Sequence, residues 1–454
     1  MALSYCWGKS NSPARTTKDD LEARRREINP EDLPKTIRDA LTITKHLGVR
    51  FLWVDAICIV QPSDQDMADW LNEAPKMGQY YSNSACTIAV CAASDSAEGF
   101  LHERPLEKFQ VRDCPLESWT PSPELFPDRA LTQVTLLKPW PAGHGREASS
   151  SPLHKRGWTL QERILSTRTL YWTKPALFWG CAEERAAEFH PDGVSARSFP
   201  GHITLSQFLS SNTDEGLGEL WLSVVEGYTH MRLSFESDRL TALAGLASRL
   251  QDRFGDEYLF GIWKSQLLAG ITWRSIPMPP EIAREGAMCV LPSWSWAGSK
   301  TGVSFPLARP PPEIELLAEV VGIEGEYNIL NPVGKDAFEC KLRIRGKVIP
   351  IEQPPGEWYQ KLEWDLGGQR QMVEILQVSR DDSPKPHPND DLACFPVWYV
   401  RQERKRTTNM RLLCLLMAGV SGHPCRYRRI GFADIVLDHP DWLEPVQTQV
   451  VELV

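Results

Sequence analysis

The feature that most constrains the fold is a helical stripe set between two dense apolar runs, all within residues 33–101. Pro34 suits a first helical position, and Ile37, Ala40, Leu41 and Thr44 follow at helical spacing until Gly48 ends the element. Residues 49–59 then form an apolar run rich in β-branched and aromatic side chains, the pattern of a strand covered on both faces. Asp64 is placed to cap a second helix, whose stripe is Met67, Trp70, Leu71, Ala74, Met77 and Tyr81. Residues 85–93 read as another buried strand. Strand, helix and strand at this spacing predict a right-handed crossover and a parallel sheet, hence an α/β region. A short helix over 158–165 and strands over 169–172 and 177–181 complete it.

Beyond this region the pattern changes twice. Residues 102–150 are Pro-rich and read as an irregular insertion. Helices are expected over 221–228, 239–254 and 258–273, where no Pro intervenes. Pro277, Pro279, Pro280 and Pro310 to Pro312 then mark loops or a boundary. From about residue 314 the text alternates, as in 341–345, which predicts a β-rich C-terminal region; the polar stretch 381–391 reads as a surface loop. The expected division is 1–200, 201–305 and 306–454, within the two to four domains that 454 residues imply.

Charge and targeting exclude several classes. A net charge of −9 gives no global positive field for nucleic acid or an anionic membrane. The basic residues of 401–406 are explained as a charged edge strand or loop. The longest apolar span, 412–420, is far below the ~20 residues of a membrane helix. The N-terminus has no signal-peptide pattern. Eleven scattered Cys without a CxxC fit a reducing, cytoplasmic setting, and the ten His show no metal-ligand spacing, so no metal is expected. The 17 Trp are a heavy load of a residue that anchors cores and interfaces.

Common catalytic signatures are missing: there is no Gly-x-Gly-x-x-Gly, Gly-x-Ser-x-Gly or His-Glu-x-x-His. Gly298-Ser299-Lys300-Thr301 breaks the order of a phosphate loop. Three blocks stand out instead. They are Ala2-Leu3-Ser4-Tyr5-Cys6-Trp7-Gly8, the segment 51–61 (FLWVDAICIVQ), and the segment 156–165 (RGWTLQERIL). In this order they resemble the signature of the fungal heterokaryon incompatibility (HET) domain family. Residues 221–228, Asp238-Arg239-Leu240, Gly261-Ile262-Trp263 and 292–297 resemble its downstream blocks, so the resemblance covers roughly 1–305. Family members usually carry several dozen residues ahead of the first block, so the domain is expected to be N-terminally shortened.

The residues of these blocks carry their own chemistry. Alternation along a strand at 49–59 would put Asp55 on one face with Phe51, Trp53, Ile57 and Ile59. A carboxylate there must be paired, hydrogen-bonded or protonated. One reading is structural, with loop N–H groups satisfying it. The other is functional, because parallel sheets bind ligands beyond their carboxyl ends, where Asp55, Cys58 and Gln61 would gather. Trp158, Glu162 and Leu165 share a helical face. Glu162 is either ion-paired with Arg156, Arg163 or Arg168 or held by the helix N-terminus, or it is a desolvated carboxylate serving catalysis at a cleft. Gln161 adds a second hydrogen-bonding group. Tyr5 and Trp7 alternate on one face, as core or as part of a ligand wall with Cys58 and Trp158. Cys58 as a nucleophile lacks a nearby base. Trp294 and Trp296 are expected at a domain interface, with a ligand platform as the other reading.

The resemblance implies a TIR-like, flavodoxin-like parallel-sheet domain and a role in fungal nonself recognition and programmed cell death. Some TIR domains cleave NAD at the nicotinamide glycosidic bond with one carboxylate, and by that analogy Glu162 is the catalytic candidate, supported by Asp55 and Gln61. The analogy makes NAD a substrate and requires no cofactor; it leaves open whether the chain is an enzyme. Two other readings stand beside it: a non-enzymatic signalling module acting through self-association or a protein partner, and an accessory protein of a fungal secondary-metabolite pathway.

Overall fold

The computed structural model describes residues 1–61, 67–103, 112–115, 133–136, 151–188, 191–193, 214–278, 291–308, 314–325, 327–328, 340–352, 361–365, 370–380, 391–404, 407–437 and 443–454. The chain forms two compact units, Met1–Ser206 and Gln207–Val454.

The first unit is mixed α/β. Its elements are β1 (Ala2–Ser4), α1 (Leu21–Arg26), α2 (Lys35–His46), α3 (Asp55–Cys58), α4 (Ala68–Glu73), α5 (Met77–Asn83) and β2 (Thr87–Val90). They continue with β3 (Arg112–Pro115), β4 (Gln133–Leu136), α6 (Thr159–Leu165), β5 (Arg168–Trp172), β6 (Leu177–Cys181) and β7 (Arg185–Ala187). The central sheet runs β1-β2-β5-β6-β7. β1, β2 and β5 are mutually parallel, whereas β6 and β7 add on antiparallel. A sheet parallel at one side and antiparallel at the other replaces the all-parallel expectation, because the short link from β5 to β6 permits only a hairpin.

Alternation along β1 sorts the core onto two faces. Leu3 packs with Ile37 and Ala40 of α2, Ile88 and Val90 of β2, and Val54. Ala2 packs with Met77 and Tyr81 of α5, against Trp53, Trp70 and Trp158. Ser4 therefore faces the α5–α6 side, and this sets up the site.

Three expectations in this unit are corrected. Residues 49–59 do not form a strand. Only Trp53 makes a bridge, parallel to Ala2, with Leu3 N–H donating to Trp53 O and Trp53 N–H to Met1 O. The chain then turns into α3 at Asp55, whose carboxylate accepts the N–H of Ala56 at 2.7 Å. The alternating faces predicted for Phe51 to Ile59 do not exist, and Phe51 is 74% exposed. The helix expected up to Tyr81 is broken into α4 and α5 by a 3-10 turn at Ala74–Lys76, where Pro75 cannot donate. Met67 and Leu71 of its predicted stripe are exposed, while Ala74, Met77 and Tyr81 are buried. Asp64 lies outside the described residues. Within the expected insertion, β3 and β4 pair antiparallel.

The second unit opens with α7 (Asp214–Tyr228) and α8 (Thr241–Phe254). Where a helix was expected over 258–273, β8 (Tyr258–Leu259) and β9 (Ile262–Trp263) form a hairpin, followed by α9 (Leu267–Gly270). The reason is the turn: Phe260 and Gly261 both have positive φ, at 48° and 96°. Two such residues build the tight turn whose twist suits a hairpin. The Gly261 carbonyl accepts the indole N–H of Trp221 and of Trp296, each at 2.9 Å. Trp221, Trp263, Trp273, Trp294 and Trp296 are all fully buried, so this Trp load builds the core of the unit.

β10 (Arg274–Ile276) pairs with β11 (Gly302–Ser304). Ten further strands follow: β12 (Ile314–Leu316), β13 (Glu319–Glu324), β14 (Lys341–Lys347), β15 (Ile349–Glu352), β16 (Lys361–Asp365), β17 (Arg370–Arg380), β18 (Leu392–Arg404), β19 (Thr407–Val420), β20 (His423–Leu437) and β21 (Thr448–Leu453). Antiparallel pairings run β15-β16-β17-β20-β19-β18 and return to β15, which closes a six-stranded ring. Closure removes the free edges of those strands. Leu412, Cys414 and Leu416 gather at period two with Ile349, Ile351, Cys394, Ala433 and Ile435. Leu413, Leu415 and Met417 on the other face are buried as well. The apolar run 412–420 thus lies in a central strand buried on both sides. Arg401 belongs to β18 and pairs there with Met410 of β19; residues 405 and 406 lie outside the described residues, as do 381–390. Among the described residues no helix is long and apolar enough to cross a membrane.

Candidate functional site

The carboxyl end of β1 gathers two carboxyl groups around one guanidinium. Three segments supply them. The chain leaving β1 brings Tyr5, Cys6 and Trp7; the segment after the Trp53 bridge brings Asp55; and the turn before α6 brings Arg156 six residues ahead of Glu162.

Glu162 is 4% exposed. Its carboxyl reaches the hydroxyls of Ser4 and Tyr81 and feels the charge of Arg156. Burial pushes it up to about 7; Arg156 and the Ser4 hydrogen bond oppose the rise, and the Asp55 charge adds to it. The Tyr81 hydroxyl donates to Leu3 O at 3.0 Å. Its hydrogen bond to Glu162 also opposes the rise.

Asp55 is half-buried. It accepts the indole N–H of Trp7 at 3.0 and 3.2 Å, besides the Ala56 N–H. Burial holds its pKa above the ordinary carboxylate value, against the opposing pull of Arg156 and of those N–H donors. Arg156 is anchored by donation to the Tyr5 carbonyl. One cation thus stands between two carboxyl groups that differ in burial and in bonding. Such a pair separates acid from base roles, and a carboxyl near 7 can give or take a proton at neutral pH.

The other predicted residues have different surroundings. Tyr5 is buried, with its hydroxyl donating to Asn11 at 3.0 Å, and belongs to the core beside α2. β1 ends at Ser4, so Tyr5 and Trp7 do not alternate on a strand. Gln61 donates to the carbonyls of Asp55 and Ile59 at 3.2 and 2.9 Å, which closes the loop after α3 and holds Asp55 in place. Cys58 is exposed, and its thiol is pushed up chiefly by desolvation, the opposite of an activated nucleophile. Trp158 precedes α6 and packs edge-on against Trp70, with centroids 6.1 Å apart. Gln161 is fully buried with neither amide atom hydrogen-bonded. Trp294 and Trp296 are core side chains of the second unit and offer no platform to a ligand.

Ser4, Tyr81 and His154 were not singled out from the sequence. Ser4 and Arg156 lie inside the quoted blocks, which was the available signal; Tyr81 read only as part of an apolar stripe. Ser4, Glu162 and His154 line one small cavity, with Thr87, Thr169 and Arg163, that has room for about one water molecule.

Residues 1–162 match the family model described as heterokaryon incompatibility protein (HET). This segment is a HET domain. The match ends on Glu162 and so takes in β1, Asp55, Arg156 and Glu162. No curated protein and no solved structure matches the chain.

Proposed function

We propose that this chain acts in nonself recognition as a heterokaryon incompatibility-type protein, and that its HET domain drives growth arrest and cell death. The observation that supports this reading is the family match, which spans every residue of the Asp55–Arg156–Glu162 cluster. The test is inducible expression in a filamentous fungus, with immunoblots to equalise protein level. Wild type is expected to arrest growth and Glu162→Gln to lose the effect. Normal growth with abundant wild-type protein would sink the proposal.

A second reading is favoured by the Glu162 carboxyl itself: cleavage of NAD at the bond to nicotinamide, by analogy with TIR domains. The C–N bond breaks and nicotinamide leaves with the bonding pair. A carboxylate beside the ribose stabilises the cation-like sugar, water adds to it, and the water's proton passes to the base or to solvent. The cavity at Glu162 has room for about one water, so a dinucleotide enters this site only after it opens. Incubation of purified protein with NAD should release nicotinamide, and Glu162→Gln should not. Equal release by both proteins removes Glu162 from the chemistry, and no release by either removes the reading.

A further inference from the structure

Arg163 is the one charged residue of α6 that the acid–base cluster does not use. Among the described residues its buried Nε has no hydrogen-bond partner. Burial depresses its pKa; the groups acting on it are Tyr171 and Cys91. Both stay neutral at pH 7, because burial pushes the phenol up strongly and the thiol up to about 12. A guanidinium does not shed its proton in a protein, so a positive charge stands here with one buried nitrogen that no acceptor satisfies.

The same side chain lines the small cavity with Ser4, Thr87, His154, Thr169 and Tyr171. A positive charge facing hydroxyl-bearing walls is an environment for an anion, and the space sets its size. Room for about one water excludes phosphate and carboxylate ligands and leaves a monoatomic ion. We propose that this cavity binds a single halide ion, chloride by size, on the Arg163 guanidinium, with hydroxyl groups of its wall completing the shell. The inference does not depend on the functional readings above.

Glu162 lines the cavity too, so its ionisation opposes the ion. The charged and titratable groups around it are Arg163, His154 and Tyr171 on the cavity, and Arg156, Asp55 and Tyr81 facing Glu162. Anion uptake is therefore coupled to protonation of Glu162. With its carboxyl near 7, the competent fraction falls about tenfold between pH 6 and pH 8, and apparent affinity falls with it.

The experiment is thermal unfolding of the full chain in sodium chloride against sodium gluconate at constant ionic strength. Wild type should show a saturable chloride-specific rise in midpoint that weakens about tenfold in apparent affinity from pH 6 to pH 8. Arg163→Met should lose the rise, and Glu162→Gln should keep it without the pH dependence. Identical midpoints in the two salts, or an unchanged chloride effect in Arg163→Met, would overturn the proposal. Should Arg163→Met fail to fold, wild-type crystals grown in bromide decide the matter. An anomalous peak beside the Arg163 guanidinium supports the site, and water alone there refutes it.

Discussion

Replacing Glu162 by Gln removes one titration from the first unit, and the structure fixes its sign and size. In the unfolded chain the carboxyl titrates at its ordinary 4.5, and in the folded unit at about 7. Between those values the native state holds a proton that the unfolded chain has lost, so stability falls as pH rises through this window. The contribution is greatest below pH 4.5 and is gone above pH 7. At about 1.36 kcal/mol per pKa unit, the full difference is about 3 kcal/mol, of which about 2.5 falls between pH 5 and pH 8. The residue is almost wholly buried, so solvent screening takes little of this away. The Gln variant lacks the titration. Its stability relative to wild type should therefore improve by about 2.5 kcal/mol from pH 5 to pH 8, on top of a constant cost of about 1 kcal/mol for altered bonding to Ser4 and Tyr81. Because the chain has two units, a global midpoint is a poor gauge. Hydrogen exchange of the α6 amides, corrected for intrinsic rates, reads the first unit alone. A gap between the two proteins that stays constant across that range would refute the reasoning.

Other consequences can be checked separately. Trp7→Phe removes the indole N–H from Asp55 and should cost about 1.5–3 kcal/mol by the same exchange measurement, since the acceptor is charged. Gly261→Ala should cost more than about 3 kcal/mol in urea unfolding of the second unit. Its φ is +96°, and the added Cβ would lie 2.4 Å from the indole nitrogen of Trp296. Cys58→Ser should change stability by less than about 0.5 kcal/mol and leave growth arrest intact, because the residue is exposed and its thiol is not activated.

How much of this was legible in the sequence depended on whether local pattern and tertiary contact agreed. The α2 stripe of Ile37, Ala40 and Thr44 reads directly, as do α6 and the strands β5 and β6. The run 49–59 misleads because its apolar density comes from a loop packed beneath the sheet edge, not from ladder pairing. At 258–263 the warning was present in the aromatic and β-branched residues around Gly261, but the lack of Pro suggested a helix. In the site, Glu162 could be placed on the right helix, but the strand end expected beside it, in 49–59, does not exist, and the carboxyl lies by the end of β1 instead. Its bonding partners could not be placed, because Ser4 and Tyr81 come from elements whose register with α6 is set only by packing. Arg163 read as a generic ion-pair partner, and only the fold places it on a cavity with its Nε buried and unpartnered.

The acid–base cluster depends on the protonation of one side chain, which can be observed directly. Infrared difference spectra of the full chain labelled with 13C-glutamate, wild type minus Glu162→Gln, report the carboxyl band across pH 3–9. A midpoint close to 7 is the predicted result. A midpoint at the ordinary 4.5 would mean that Glu162 meets open water, and the acid–base cluster at the end of β1 would have no basis.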